Sequence, residues 1–138
     1  MLVVAVIAIL AAIALPSFLD QVRKARRSDA KQPIMDFAAK LEQYYQDNKG
    51  YPVGTSISDK NNEDLGFLSN EDLDPDVVAG ETNSLEGYYA VSTTGTATRY
   101  TITARPLGDQ KKDKTCQTFR LDHLGNKTVT KGIAKDCW

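Results

Sequence analysis

The sequence predicts an α+β protein, a long N-terminal α-helix packed on an antiparallel sheet of about four strands. Three observations carry this. The first fifteen residues, MLVVAVIAILAAIAL, are all apolar. No glycine interrupts the chain before Gly50, and helix formers dominate that stretch. From Tyr88 onward the apolar spacing falls to two, the period of a strand. Helix first and strands afterwards is an α+β order.

The opening run has no polar face, so as a helix it must be buried in protein or in lipid. At about 1.5 Å per residue it is roughly 22 Å long, whereas a bilayer core takes ~20 residues. Two readings fit the shortfall: the apolar part of a cleaved signal peptide, or a membrane segment whose first residues precede Met1. A cleaved signal carries its basic residues ahead of the apolar run. Here Arg23, Lys24, Arg26 and Arg27 come after it. A retained membrane helix over 1–24 is therefore expected, with a buried core helix as the bland alternative. Its apolar residues are Leu2, Val3, Val4, Val6, Ile7, Ala8, Ile9, Leu10, Ala11, Ala12, Ile13 and Leu15. Ala5, Ala8, Ala11, Ala12 and Ala14 are small enough to let another helix approach closely.

The helix is expected to continue to about Asp47, bent at Pro16 and Pro33, because each proline removes an intrahelical hydrogen bond. The basic cluster at 23–27 reads as a solvated helix face or a lipid-headgroup contact. From Ile34 the pattern turns amphipathic. Ile34, Phe37, Ala38, Leu41, Tyr44 and Tyr45 recur at three- and four-residue spacing. They are the expected helix side of a core whose sheet side is Tyr100, Ile102, Phe119 and Leu121. Asn48-Lys49-Gly50, with Pro52 beyond, ends the helix.

Residues 48–87 read as a variable loop, acidic beyond Val53, with a short helix or turn near 61–68. The spacing of Asp72, Asp74 and Asp76 imitates the start of a calcium-binding loop. The glycine and distal glutamate that such a loop requires do not follow, which leaves a solvated acidic loop as the expectation. A meander over 88–130 comes next. Its strands are Tyr88–Ser92, Arg99–Ala104, Cys116–Asp122 and Lys127–Thr130. A turn over Thr93–Thr98 containing Gly95 separates the first two, and a charged loop over Pro106–Lys114 precedes the third.

A net charge of −1 gives no global attraction to nucleic acid or to an anionic membrane. The two cysteines, Cys116 and Cys137, would pair if the chain is exported; otherwise they are two separate buried thiols. With His123 they make no metal-ligand set. One histidine, no glycine-rich phosphate loop and no nucleophile motif argue against an enzyme. No cofactor and no small-molecule substrate are called for.

Several segments together resemble the type IV pilins. They are AVIAILAAIALPSF at 5–18, QYYQDNKGYP at 43–52, YTITARP at 100–106, DKTC at 113–116, LDHLGNKT at 121–128 and DCW at 136–138. The C-terminal set is most similar to minor pilins of the PilE type. The resemblance covers the chain except its acidic loop. It implies the type IV pilin fold, with a head over 25–138 and a disulfide-bounded region over 116–137. It further implies a single-pass helix held in the inner membrane, with the head in the periplasm, and later assembly with other pilin subunits by the pilus machinery into a surface fimbrium, where the helix over 1–24 lies in the filament core. Motility, adhesion or DNA uptake would follow. Only with this resemblance do inter-subunit salt bridges become a reading of the basic cluster at 23–27. Surface aromatic and basic residues of 80–114 would be the candidates for touching DNA or a host surface. In the family the mature N-terminus reads Phe-Thr-Leu-Ile-Glu-Leu, so the residues here are expected to start after that hexapeptide and to lack its assembly glutamate. The first carboxylate is Asp20. A secretion pseudopilin is the rival within this group; those commonly carry a calcium-bound loop in place of the C-terminal disulfide. The basic cluster alone would keep its side of a membrane cytoplasmic, against the periplasmic side that the resemblance implies.

Overall fold

Two helices in line lead into a five-stranded meander. The structure, a computed structural model, describes residues 2–53 and 81–138, with α1 side chains described at Val3, Val4, Val6, Ile7 and from Phe18 onward. The elements are α1 (Leu2–Arg26), α2 (Ser28–Asn48), β1 (Thr82–Asn83), β2 (Tyr89–Thr96), β3 (Arg99–Pro106), a 3-10 turn (Gly108–Lys112), β4 (Phe119–Asp122), β5 (Lys127–Val129) and α3 (Ala134–Cys137). The sheet order is β1-β2-β3-β4-β5, with every neighbouring pair antiparallel. The α+β meander is as expected, extended by β1, a two-residue strand too short to show a period. The expected turn near 61–68 and the Asp72, Asp74 and Asp76 carboxylates lie outside the described residues.

The N-terminal helix is interrupted at Arg27, and not at either proline. Around this point the helical N–H groups reach back only three residues: Arg27 to the Lys24 carbonyl at 3.3 Å and Ala30 to the Arg27 carbonyl at 3.2 Å. Helix α1 runs on across Pro16, and Pro33 sits inside α2. Pro33 has no N–H to offer the Asp29 carbonyl, and its ring crowds that carbonyl. The ladder is relieved in the turn just upstream. At the other end of α2, Lys49 takes the left-handed conformation (φ 59°) and donates to the Tyr45 carbonyl at 2.8 Å. The cap is therefore Lys49, where glycine would be the cheaper residue. Tyr51 then bonds the Ala97 carbonyl at 3.0 Å and ties the helix exit to the tip of the β2–β3 hairpin.

That hairpin is tighter than its sequence suggests. Pairing continues to Thr96 opposite Arg99, so only Ala97 and Thr98 turn. Gly95 lies in the strand opposite Tyr100, where a Cβ would come within 2.8 Å of the Arg99 carbonyl. Strand β4 starts at Phe119 and not at Cys116. The N–H groups of Thr115 and Cys116 are taken by Asp113 Oδ1 at 2.9 and 3.1 Å, which removes them from the ladder.

The core lies between α2 and the inner sheet face. Ala30, Ile34, Phe37 and Leu41 pack on Tyr89, Val91, Tyr100, Ile102, Ala104, Phe119 and Leu121. Each large side chain buried there stabilises the fold by roughly 1.5–3 kcal/mol. Ala38 packs at the margin, and Tyr44 is half-buried. Tyr45 departs from its expected core place. At 41% exposure it lies in the last turn of α2 and stacks on Tyr51, with ring centroids 4.7 Å apart. On α1, Val3, Val4, Val6, Ile7, Phe18 and Leu19 are exposed. Among the described residues no helix is long and apolar enough to cross a membrane.

Candidate functional site

The near-zero net charge hides a segregation. Residues 54–80 hold seven carboxylates and one lysine. Residues 111–138 hold seven basic side chains and three carboxylates, Asp113, Asp122 and Asp136. The fold gathers this basic surplus around the disulfide. Cys116 and Cys137 are bonded, with Cα atoms 5.8 Å apart, and both are buried. The bond holds the segment leading into β4 against α3. Gly132, at φ +73°, lets them meet, since a Cβ there would lie 2.3 Å from the Thr115 carbonyl.

Lys114, Lys131 and Lys135, each within four residues of one of the two cysteines or of Gly132, are exposed, whereas Lys112 is ion-paired with Asp109. Lys127, on the edge strand β5, sets its Nζ 5.2 Å from the centre of the Trp138 ring. That ring is half-buried, meets Phe119 edge-on at 5.6 Å and donates its N–H to the Thr128 carbonyl at 3.3 Å. Across the edge, Lys31 of α2 has its ammonium held below the ordinary lysine range, by burial first and then by the charges of Arg27 and Lys127.

Of the three local carboxylates, Asp113 is neutralised by Arg27 and does not offset the basic surplus outward. Asp113 is buried and accepts from Arg27 Nε at 2.7 Å and Nη2 at 2.9 Å. Burial opposes its charge, yet the Arg27 guanidinium and the N–H groups of Cys116 and Thr115 hold its carboxyl below the usual range. Asp122 closes the β4–β5 turn. It accepts from the Asn126 side chain at 2.8 Å and from the N–H groups of Asn126 and Leu124, each at 2.9 Å, and these bonds hold it low. Asp136 is exposed.

The basic cluster at 23–27 is not a uniform solvated face. Arg23 pairs with Asp20 at 2.9 Å. Arg26 lies 4.2 Å from the Tyr88 ring centre. Arg27 is buried against Asp113, and only Lys24 is a plainly exposed cation. Between the last turns of α1 and the disulfide segment lies an open groove of about 570 Å³, lined by Gln21, Lys24, Lys114 and Asp136 among others. In the 80–114 region, Arg105 is ion-paired with Glu81 at 2.6 Å, and the exposed charge lies mostly C-terminal to it.

Sequence reasoning missed three anchoring groups. Asp29, buried in the first turn of α2, accepts from Ser84 Oγ at 2.5 Å and from the N–H groups of Glu86 and Tyr88 at 2.9 and 3.1 Å. Its signal was Ser28-Asp29, a pair typical of helix starts, hidden while no break was expected. Glu42 accepts the hydroxyls of Tyr51 at 2.9 Å and Tyr100 at 3.0 Å. Burial, then Glu42, pushes Tyr51 up to about 12 and raises Tyr100 as well. Gln110 is wholly buried and donates to Tyr89 Oη and to the Arg23 carbonyl. Among the described residues no side chains group as metal ligands.

A family model described as type IV minor pilin ComP, DNA uptake sequence receptor, matches residues 16–120, well over half of the chain. Among solved structures, a type IV pilin from Shewanella oneidensis is 27% identical. The match covers 84% of this chain and 97% of that one, with a TM-score of 0.52. No curated protein sequence matches.

Proposed function

This chain belongs to the ComP family of type IV minor pilins, and we propose that it is a filament subunit whose disulfide-bounded end takes up DNA. The observation that carries this is the basic edge around Cys116–Cys137. Lys114, Lys127, Lys131 and Lys135 surround it, while Asp113 is neutralised by Arg27. Such a surface attracts the phosphate backbone whatever the sequence, and Trp138 adds a ring beside it on which a base can stack. The family's description supports DNA as the polyanion and favours uptake over adhesion or motility as the role.

The exposed apolar residues of α1 need cover, which a bundle of like helices supplies in a filament and lipid supplies beforehand. In this reading the helix first lies in the inner membrane with the head in the periplasm, and the head later faces outward from the pilus. The pilus assembly machinery moves it between the two. No catalysis, cofactor or small-molecule substrate enters the scheme.

The test is fluorescence anisotropy of labelled duplex DNA with the full chain in micelles, over a series of salt concentrations. Each lost phosphate contact lowers the salt slope by ~0.9. The triple variant Lys127→Gln, Lys131→Gln, Lys135→Gln should reduce the slope by about 2 to 3. An unchanged slope contradicts the site.

A further inference from the structure

The break between α1 and α2 is held by side chains from one short segment. Because the Arg27 N–H bonds to Lys24, the Arg23 carbonyl loses its ordinary helical donor. Gln110 replaces that donor, with Nε2 at 3.0 Å from the Arg23 oxygen. Arg27, the residue at the break, is fixed by two parallel bonds to Asp113. Asp113 in turn holds the N–H groups of Thr115 and Cys116, and Cys116 is bonded to Cys137. One unbroken set of bonds runs from the disulfide to the helix break. Helix α2 has a separate attachment, since Asp29 ties its first turn to the β1–β2 connection and its apolar face is in the core. The groove of about 570 Å³ beside the last turns of α1 leaves that helix room to move.

We propose that the Cys116–Cys137 bond is a redox switch for the direction of α1. With the disulfide formed, Asp113 and Gln110 grip the break and α1 has one direction relative to the sheet. With it reduced, the 113–116 segment loosens, Arg27 loses its partner, and α1, left with the Gln110 bond alone, pivots at Arg27 while α2 and the sheet stay together. Closure proceeds by thiol–disulfide exchange. The two thiols of this chain pass two electrons and two protons to an oxidant's disulfide, which leaves as a dithiol. Reduction by a dithiol is the reverse. The consequence for assembly, that only the oxidised subunit presents α1 at the angle a filament needs, rests on the filament reading above.

The experiment measures spin–spin distances in the full chain in micelles, with labels on keto amino acids so that no thiol is consumed. One pair is Leu19 and Leu124, which reports α1 against the sheet. The control pair is Asp47 and Leu124, which reports α2 against the sheet. With the disulfide intact, both pairs should give one narrow distribution. Dithiothreitol should at least double the width of the first distribution, or shift it, and leave the second unchanged. Gln110→Leu and Asp113→Asn, each with the disulfide intact, should reproduce the effect on the first pair alone. No change in the first pair on reduction overturns the proposal. So does broadening of both pairs together, because the disulfide would then hold only the fold. These distances do not depend on filaments, so incorporation of Gln110→Leu into filaments, scored separately, tests the assembly reading by itself.

Discussion

Replacing Asp29 with alanine should cost the fold about 3 kcal/mol. The carboxylate is 5% exposed and accepts three hydrogen bonds from the β1–β2 connection. A bond to a charged acceptor contributes ~1.5–3 kcal/mol when measured alone. The three share one carboxylate and so do not add in full. The Glu86 and Tyr88 N–H groups are only partly buried and can recover water. Ser84 Oγ still accepts from the Tyr89 N–H at 3.0 Å. Those offsets bring the total to about 3 kcal/mol, or a melting temperature lower by ~12 °C at about 4 °C per kcal/mol. Circular dichroism melts of the full chain in micelles read this out. Asp29→Asn keeps one acceptor oxygen but turns an amide toward donors, and should lose about half as much. A loss under ~1 kcal/mol in the alanine variant would show that water replaces these bonds and that Asp29 does not join α2 to the sheet.

Serine at both Cys116 and Cys137 should lower stability by roughly 3 kcal/mol in denaturant titrations, the loop-closure value for this separation. The Asp113 carboxyl is held below its ordinary value, so its contribution is complete above about pH 4 and is lost as pH falls through its folded value. Acid titrations should therefore show a shallower loss below pH ~4 in Asp113→Asn than in the native chain. Ala8→Phe and Ala12→Phe should impair filament incorporation more than membrane insertion, as read in fractionated cells, because close helix approach matters only in the filament. Equal loss of both would count against that reasoning.

Much of the head was legible because its signals are local. Ile34, Phe37 and Leu41 at helical spacing, and Tyr100, Ile102 and Ala104 at strand spacing, meet in the core as their periods require. The disulfide was legible because two cysteines allow one pairing. The break at Arg27 was not, since it depends on Asp113, 86 residues away, and on the Gln110 side chain. Tyr45 kept the helical spacing yet lies in the last turn of α2, where it is exposed and meets Tyr51 instead of the core. The basic edge was invisible to a net charge of −1, because the carboxylates of 54–80 cancel it in the sum. Only the folding of 111–138 around one disulfide brings those lysines to a common surface.

The most direct measurement is electron microscopy of filaments from cells that carry the full-length protein with an epitope tag, incubated with gold-labelled duplex DNA. The tag should lie on the filaments, and the gold should coincide with it. In the Lys127→Gln, Lys131→Gln, Lys135→Gln variant the tag should remain while the gold is lost. Filaments without the tag, or gold unaffected by the three substitutions, would contradict the account.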